Sequence, residues 1–127
     1  MNSATVSIDP LKRNLTDQRM SSVLQAWELL RTYHHELPAQ AVTVFLYVAS
    51  HDPCHKQSIE EDQGLTTASC SRMIDVLNKG PARPGIKTKG LGLVEKYSDP
   101  SNGRRFLIRL TPEGEDLADQ LKTLIYG

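Results

Sequence analysis

A chain of 127 residues with 39% hydrophobic and 24% charged residues has the size and composition of one folded domain. No apolar run reaches the roughly eighteen residues of a membrane span, and the N-terminus lacks the apolar middle part of a secretory signal. We therefore expect a cytoplasmic domain with no membrane partner. The two cysteines, Cys54 and Cys70, form no CxxC pattern, so neither a disulfide framework nor a cysteine zinc site is predicted.

The formal net charge is zero, but the charged residues are unevenly distributed along the chain. Residues 1–71 contain five Lys/Arg and eight Asp/Glu, residues 72–109 contain nine and three, and residues 110–127 contain one and four. The central segment therefore has a net charge of +6 between two segments of −3 each. A basic segment between acidic flanks is typical of a DNA-contacting module joined to helices with another task.

The N-terminal part of the chain is predicted to contain an irregular arm and then an amphipathic helix. Residues 1–18 show no sustained period, so we place the start of the folded domain, residues 19–127, after them. Between Arg19 and Glu36, apolar side chains recur at spacings of three and four, which predicts one stripe on a first helix. The stripe consists of Met20, Val23, Leu24, Trp27, Leu30 and Tyr33.

Two further helices follow, the first apolar and the second short and acidic. Pro38 suits the first turn of the second helix, which extends to Ser50 and is apolar on nearly every side, as in a helix buried among others. The sequence HDPCH marks its end and is interpreted as a loop. Ser58 is predicted to cap the third helix, and Gly64 is predicted to end it.

The fourth helix, about residues 66–79, is the candidate recognition helix. Thr66 or Thr67 can cap it, and Gly80 is expected to end it. Its apolar face consists of Cys70, Met73, Ile74 and Leu77. The opposite face carries Ala68, Ser71, Arg72, Asp75 and Lys79. Because these side chains are small or polar, they let the helix backbone approach another surface closely.

The segment after this helix is predicted to form an irregular link and then a β-hairpin. Residues 81–92 are rich in Gly, Pro and Lys/Arg, which indicates a loop. Residues 93–97 and 106–110 are predicted strands, and the sequence SDPSNGRR between them contains turn formers and two arginines. The hairpin, about residues 93–110, therefore carries arginines at its tip.

A final helix completes the predicted fold. Thr111 can cap it, Pro112 suits its first turn, and its apolar stripe consists of Leu117, Leu121, Leu124 and Ile125. Four helices, a hairpin and a last helix predict a mainly α, α+β domain. Two short helices joined by a tight turn and followed by a hairpin are typical of a winged helix-turn-helix. In that fold the second helix of the pair enters the major groove of DNA, and the hairpin is the wing.

Two stretches, TTASCSRMIDVLNKG and GLVEKYSDPSNGRRFLIRLTPEGEDL, resemble the signature of the MarR family of transcriptional regulators. The similarity spans about residues 38–121. The matching motifs are the Ser71 and Arg72 pair, the segment Gly92 to Val94 before the wing, Asp99 with Arg104 and Arg105, and the segment Leu110 to Gly114 after it. The resemblance implies a sequence-specific, double-stranded DNA-binding repressor that acts as a homodimer on an approximately palindromic operator.

The resemblance also implies which residues contact DNA and which form the dimer. Hydroxyls and helix amides would bind phosphates, Arg72 would read guanine, and Arg104, supported by Arg105, would enter a narrow minor groove. The predicted DNA-binding residues are Thr66, Thr67, Ala68, Ser69, Ser71, Arg72, Lys89, Arg104 and Arg105. Members are usually dimers built from their terminal helices, so the apolar stripes of residues 20–33 and 117–125 are the implied interface.

The chain departs from the family pattern in the link before the wing and in the wing itself. The link between Lys79 and Leu93 is about a dozen residues longer than usual, and its basic residues could contact the DNA backbone. Asn102 and Gly103 occupy positions where members often have Asp and Arg. This leaves open whether the wing has an internal ion pair.

Other site chemistries have weaker support in the sequence. No hydrolase, metalloprotease, P-loop or dinucleotide motif is present, so we predict no enzyme activity, no catalytic residue and no cofactor. The cluster His51, Asp52, Cys54 and His55 fits no established zinc spacing, so no metal is predicted. Cys70 is expected to be a buried core thiol rather than a redox sensor.

Two alternatives remain open. Trp27, Tyr33 and Tyr47 could line a pocket for a small-molecule effector of unknown identity, although core packing is the favoured interpretation. The main alternative function is a winged-helix protein-interaction module that binds or inhibits another regulatory protein. The zero net charge and the altered wing are compatible with it.

Overall fold

The computed structural model describes residues 13–80 and 90–127, which form five helices and one three-stranded antiparallel sheet. Most of the proposed arm, residues 1–12, and the link residues 81–89, including Lys89, lie outside the described residues. The helices are α1 (Gln18–Arg31), α2 (Ala39–Ser50), α3 (Lys56–Gln63), α4 (Thr67–Leu77) and α5 (Pro112–Tyr126). The strands are β1 (Cys54–His55), β2 (Val94–Asp99) and β3 (Asn102–Leu110).

Helix α1 begins where the sequence predicts but ends earlier. The Asp17 side chain caps it by accepting hydrogen bonds from the amides of Arg19 and Met20. The prediction that the helix reaches Glu36 is wrong, because turn hydrogen bonds replace the helical pattern after Arg31. Pro38, which disfavours helical backbone in the residue before it, is the N-cap of α2 and not part of its first turn as predicted.

The segment HDPCH is more ordered than the predicted loop. Cys54 and His55 form β1, which pairs with β3 through Cys54↔Ile108 and His55↔Leu107. Helix α3 starts directly after this strand, so Ser58 lies inside the helix and the prediction that it caps α3 is wrong. The prediction for Gly64 is confirmed, since it ends α3 in the left-handed conformation with φ 65°.

Helix α4 has the predicted start and a shorter end. Thr66 caps it, and the helix stops at Leu77, so the expected end at Gly80 is wrong and Lys79 lies outside the helix. The returning chain explains the difference, because the amides of Leu91 and Leu93 donate to carbonyls in the last turn of α4, at 2.8 and 2.9 Å. Gly90 passes so close to α4 that a Cβ there would lie 2.5 Å from the Asp75 carbonyl oxygen.

The wing is longer than its predicted strands. β2 and β3 extend into the predicted turn and leave Pro100 and Ser101 as the tight connection, with a register irregularity between Ser98 and Asp99. The sheet order is β1-β3-β2, so β3 is central and the short β1 covers one of its edges. The predicted winged helix-turn-helix order is confirmed, with β1 as an added strand.

The hydrophobic core lies between α2, α4, α5 and the sheet. Its largest fully buried side chains include Phe45, Ile59, Ile74, Leu77, Leu93, Ile108 and Leu117. Cys70 is also fully buried, as predicted, and burial raises the pKa of its thiol. Within residues 13–80 and 90–127, no helix has the length and apolar character needed to cross a membrane.

Candidate nucleic-acid interface

A groove separates the N-terminal ends of α3 and α4 from the wing. We call this cavity of about 410 Å³ the wing groove. Its lining residues are His55, Lys56, Gln57, Glu60, Thr67, Ser71, Lys96, Arg104, Arg105 and Phe106. Four of them, Thr67, Ser71, Arg104 and Arg105, belong to the set predicted from the sequence. The fold thus brings the candidate recognition helix, α4, and the wing arginines together at one cleft.

The first turn of α4 is organised by a chain of polar contacts. The Thr66 hydroxyl accepts a hydrogen bond from the Ser69 amide at 3.0 Å, which satisfies one helix-terminal amide. The Ser69 hydroxyl in turn accepts from Nη2 of Arg72 at 3.2 Å. Arg72 is exposed and is directed back along its own helix toward the N-terminal turn. That end of the helix has the positive dipole, which favours anions such as phosphate.

The predicted residues of α4 occupy two neighbouring surfaces of the helix. Thr67 and Ser71 line the wing groove, whereas Thr66, Ala68 and Arg72 are exposed beside it. A helix inserted in a DNA groove needs both surfaces, because base edges and the flanking phosphates are contacted from different sides.

The arginines of the wing are held by the strand but are not neutralised within the described chain. Arg104 and Arg105 are exposed on β3, and the Arg104 amide donates to the Asn102 side chain at 3.1 Å. Neither guanidinium forms an ion pair with any residue in 13–80 or 90–127. By contrast, Arg109 farther along the same strand is paired with Glu95, with Nε 2.6 Å from the carboxylate.

The turn of the wing is anchored by a buried carboxylate. Oδ1 of Asp99 accepts hydrogen bonds from the Ser101 amide and hydroxyl at 2.8 and 2.7 Å. Oδ2 lies 2.9 Å from Nε2 of His55 in β1. The hydrogen bond from His55, followed by those from Ser101, lowers the pKa of Asp99 to about 2. The Asp99 carboxylate of the wing therefore has a hydrogen-bonded partner, but that partner lies in β1 rather than in the wing.

The groove also contains residues that the sequence did not identify. Lys96 lies on its wall with Nζ 4.8 Å from the centroid of the Phe106 ring, a cation–π arrangement. Lys96 lies in a strand of the predicted hairpin that also carries the wing arginines, so the clustering of cations in the hairpin was the signal that could have identified it. His55 was weighed only as a metal ligand within HDPCH, and Lys56 lies between that segment and the predicted cap Ser58, so neither was predicted to contact DNA.

Charge in the groove is predominantly positive. Lys56 is paired with Glu60, and His55 with Asp99, which leaves Lys96 and the two wing arginines as cations without a carboxylate partner among the described residues. Among those same residues, no group of three or more His, Cys, Asp and Glu side chains is arranged to bind a metal. The groove can therefore bind a polyanion through charge and hydrogen bonding.

Comparisons with known proteins give a consistent fold. No family model and no curated protein matches the sequence. Among solved structures, the PcaV transcriptional regulator from Streptomyces coelicolor is 23% identical, with a TM-score of 0.54 over 84% of this chain and 71% of that chain. A mutant MarR from E. coli complexed with operator DNA is 18% identical, with a TM-score of 0.55 over 84% and 69%.

A MarR transcriptional regulator from Methanosarcina mazei Go1 has a TM-score of 0.61 at 14% identity, over 86% of this chain and 69% of that chain. The same architecture thus recurs in regulators whose sequences differ widely from this one. The chain has the MarR-like winged helix-turn-helix fold that its motifs implied.

Proposed function

We propose that the protein is a sequence-specific, double-stranded DNA-binding transcriptional regulator that acts as a homodimer and represses by occupying its operator. One observation carries the proposal: the exposed polar face of α4 and the unpaired wing arginines Arg104 and Arg105 meet at one positively charged groove. That combination supplies both requirements of a DNA reader, a helix that fits the major groove and cations for the backbone and minor groove.

In this proposal each part of the site has a separate task. The first turn of α4 enters the major groove, where Arg72 donates two hydrogen bonds to a guanine and the hydroxyls of Thr66 and Ser71 contact phosphates. The wing follows the backbone so that Arg104 reaches the adjacent minor groove, with Arg105 and Lys96 neutralising phosphates beside it.

The homodimer is supported by apolar side chains that the single chain leaves uncovered. On α1, only Ala26 and Leu30 are buried, while Met20 and Leu24 are 64% and 59% exposed. Trp27 is 41% exposed, so the expectation that it is a core residue is wrong for the single chain. An exposed apolar surface of this kind is a common mark of a protein–protein interface.

The end of α5 continues this surface. Ile125 and Tyr126 are 48% and 83% exposed, and together with Val23 of α1 they line one cleft between the two helices. We call the exposed apolar side chains of both terminal helices the α1–α5 face, and none of them lines the wing groove: Met20, Val23, Leu24, Trp27, Ile125 and Tyr126. Two-fold pairing through this face would present two recognition helices to half-sites about one DNA turn apart.

The test is a fluorescence-anisotropy titration against a pool of random duplexes at low and high salt, followed by sequencing of the retained DNA. We expect tight, salt-sensitive retention of an approximately palindromic motif. The variants Arg104→Ala and Arg109→Ala provide a matched pair on one strand, because only Arg104 lines the groove and Arg109 is already paired with Glu95. Absence of retention even at low salt would contradict the proposal and would favour a protein partner for the same fold.

A further inference from the structure

We infer that His55 and Lys56, at the junction of β1 and α3, are positioning residues that fix the wing and the recognition helix relative to each other. We call these two residues the β1–α3 junction. The inference rests on the proposed function for its effect on DNA binding, but the positioning itself is a property of the free protein.

The first set of contacts made by the junction connects it to the wing. His55 contacts Asp99 across 44 positions of sequence, and Asp99 is only 8% exposed. Ser101 alone already satisfies the other oxygen of Asp99 and closes the turn. The turn does not need the additional bond from His55 for its own closure; that bond ties Asp99, at the start of the turn that leads to Arg104 and Arg105, to β1.

The second set of contacts connects the junction to α4, the candidate recognition helix. Lys56 is 9% exposed, and its ammonium group contacts the Glu60 carboxylate and the carbonyl oxygen of Thr67, the latter at 3.4 Å. Oε1 of Glu60 in turn accepts a hydrogen bond from the Thr67 hydroxyl at 3.3 Å. Because Thr67 is the first residue of α4, these contacts fix the end of the helix that would enter the major groove.

Both sets of contacts start from the same short segment of backbone. His55 is paired with Leu107 of β3, and α3 begins at Lys56. Adjacent Cα atoms are about 3.8 Å apart, so the wing turn and the start of α4 are both bonded to nearly the same position on the backbone. A DNA reader benefits from this, because its two contact elements must match a fixed separation between grooves, and preorganisation lowers the entropy cost of binding.

The contact between the junction and the wing is tested with two variants. His55→Leu removes the hydrogen-bond donor, and His55→Gln has a side-chain amide of similar length that can donate to Asp99. We would measure amide hydrogen exchange in DNA-free protein. His55→Leu should speed exchange of the amides of residues 101–106 by roughly two- to tenfold, the range for one lost hydrogen bond, and leave α4 unchanged. His55→Gln should restore slow exchange. A loss of protection throughout the chain would identify a folding defect and overturn the inference.

The contacts between the junction and α4 are tested by combining Lys56→Met with Glu60→Gln, so that no buried carboxylate is left without a partner. This pair should speed exchange at the first turn of α4 and leave the wing unchanged, the reverse of His55→Leu. If both variants loosen the same amides, or if neither does, the junction does not position the two elements separately and the inference is wrong.

DNA binding distinguishes this inference from the proposed function. The probe is a mixed-sequence duplex of about 25 base pairs at low salt, long enough for two half-sites one turn apart. We expect His55→Leu to bind it roughly two- to tenfold more weakly than wild type, and His55→Gln to bind like wild type. Equal binding by His55→Leu would overturn the positioning role, whereas failure of wild type to bind would overturn the proposed function and leave the exchange results to decide the junction.

Discussion

The wing groove and the α1–α5 face are both exposed, but they expose opposite chemistry. In the groove, the side chains from β1 and α3 already have partners, and what remains uncompensated among the described residues is positive charge on Lys96, Arg104 and Arg105. On the α1–α5 face, what remains uncovered is apolar surface, including Leu24 and Tyr126. The wing groove therefore has cations without anionic partners, and the α1–α5 face has apolar side chains without apolar contacts.

This difference separates two kinds of binding that the net charge of zero conceals. A surface of unpaired cations gains most from a polyanion, and its affinity falls as salt rises. An apolar face gains from burial, which is far less sensitive to salt. We therefore expect salt to weaken DNA binding while leaving self-association nearly unchanged, and variants in one region to act on the other only through the dimer.

The largest effect is expected for Leu24→Glu, which places a charge on the α1–α5 face. Burying an unpaired carboxylate is so unfavourable that the dimer should dissociate, and the loss of two-site binding should weaken operator affinity by about 100-fold or more. Sedimentation equilibrium would give the oligomeric state. The single tryptophan, Trp27, lies on the same helix, so its emission should shift to the red on dissociation.

Gln25→Glu is the matched control for this change. Gln25 is exposed on the same helix but bonds to Ser21 instead of belonging to the apolar surface. It adds the same charge without burying it, so the dimer should persist. Dissociation by both variants would show that charge on α1, and not burial of its apolar face, controls association.

The second-largest effect distinguishes a residue that reads DNA bases from one that contacts the DNA backbone. Arg72→Ala should cost about 1 to 3 kcal/mol on the preferred operator and relax its sequence preference, whereas Arg104→Ala should weaken all duplexes more evenly. Competition titrations with preferred and scrambled duplexes would measure both. A uniform loss for Arg72→Ala would mean that Arg72 contacts phosphate and that another residue reads the base.

A smaller effect is expected for Lys96→Ala. Because Lys96 is a single cation beside the wing, its removal should lower affinity a few-fold on any duplex and reduce the salt slope by about 1. Lys122→Ala is the control, since Lys122 is an exposed lysine on α5 that does not line the wing groove. Equal slopes for Lys96→Ala and wild type would exclude Lys96 from the DNA contact.

The sequence predicted the parts of the molecule that depend on periodicity and on local caps. The apolar face of α4 and its cap at Thr66 follow from residue spacing and from one hydroxyl, both of which are local. The stripe on α1 was also predicted, but its spacing does not show which of its side chains the chain itself buries, since buried and exposed apolar residues have the same helical periodicity.

The missed parts depend on contacts between distant segments. β1 is only two residues long, too short for any alternation to be visible, and it exists because β3 offers an edge to pair with. The last turn of α4 likewise ends where residues 90–93 return and bond to it, which no local stop signal records. His55 and Lys56 were missed for the same reason, because their partners lie on the wing and on α4.

The smallest effect tests how firmly the wing is anchored, through the pH dependence of stability. Hydrogen bonds from His55 and Ser101 lower the pKa of Asp99 from 3.8 to about 2 in the folded protein. A carboxyl with a depressed folded-state pKa stabilises the fold above its unfolded pKa, and this contribution is lost as the pH falls toward the folded value. Asp99→Asn should therefore be less stable than wild type at about pH 5, and the difference should shrink between about pH 4 and pH 2.

Urea unfolding at about pH 5 and about pH 2.5 would measure that difference. Glu95→Gln is a useful companion, because bonds from Lys79 and then Arg109 also lower the pKa of Glu95, and its contribution should fade with acid in the same direction. Only Asp99→Asn should also speed amide exchange at the wing turn, since Glu95 pairs with Lys79 and Arg109 instead of with Ser101. A stability difference that stays constant down to pH 2.5 would show that the Asp99 carboxylate does not act through its charge, and would leave hydrogen bonding alone as the anchor of the wing.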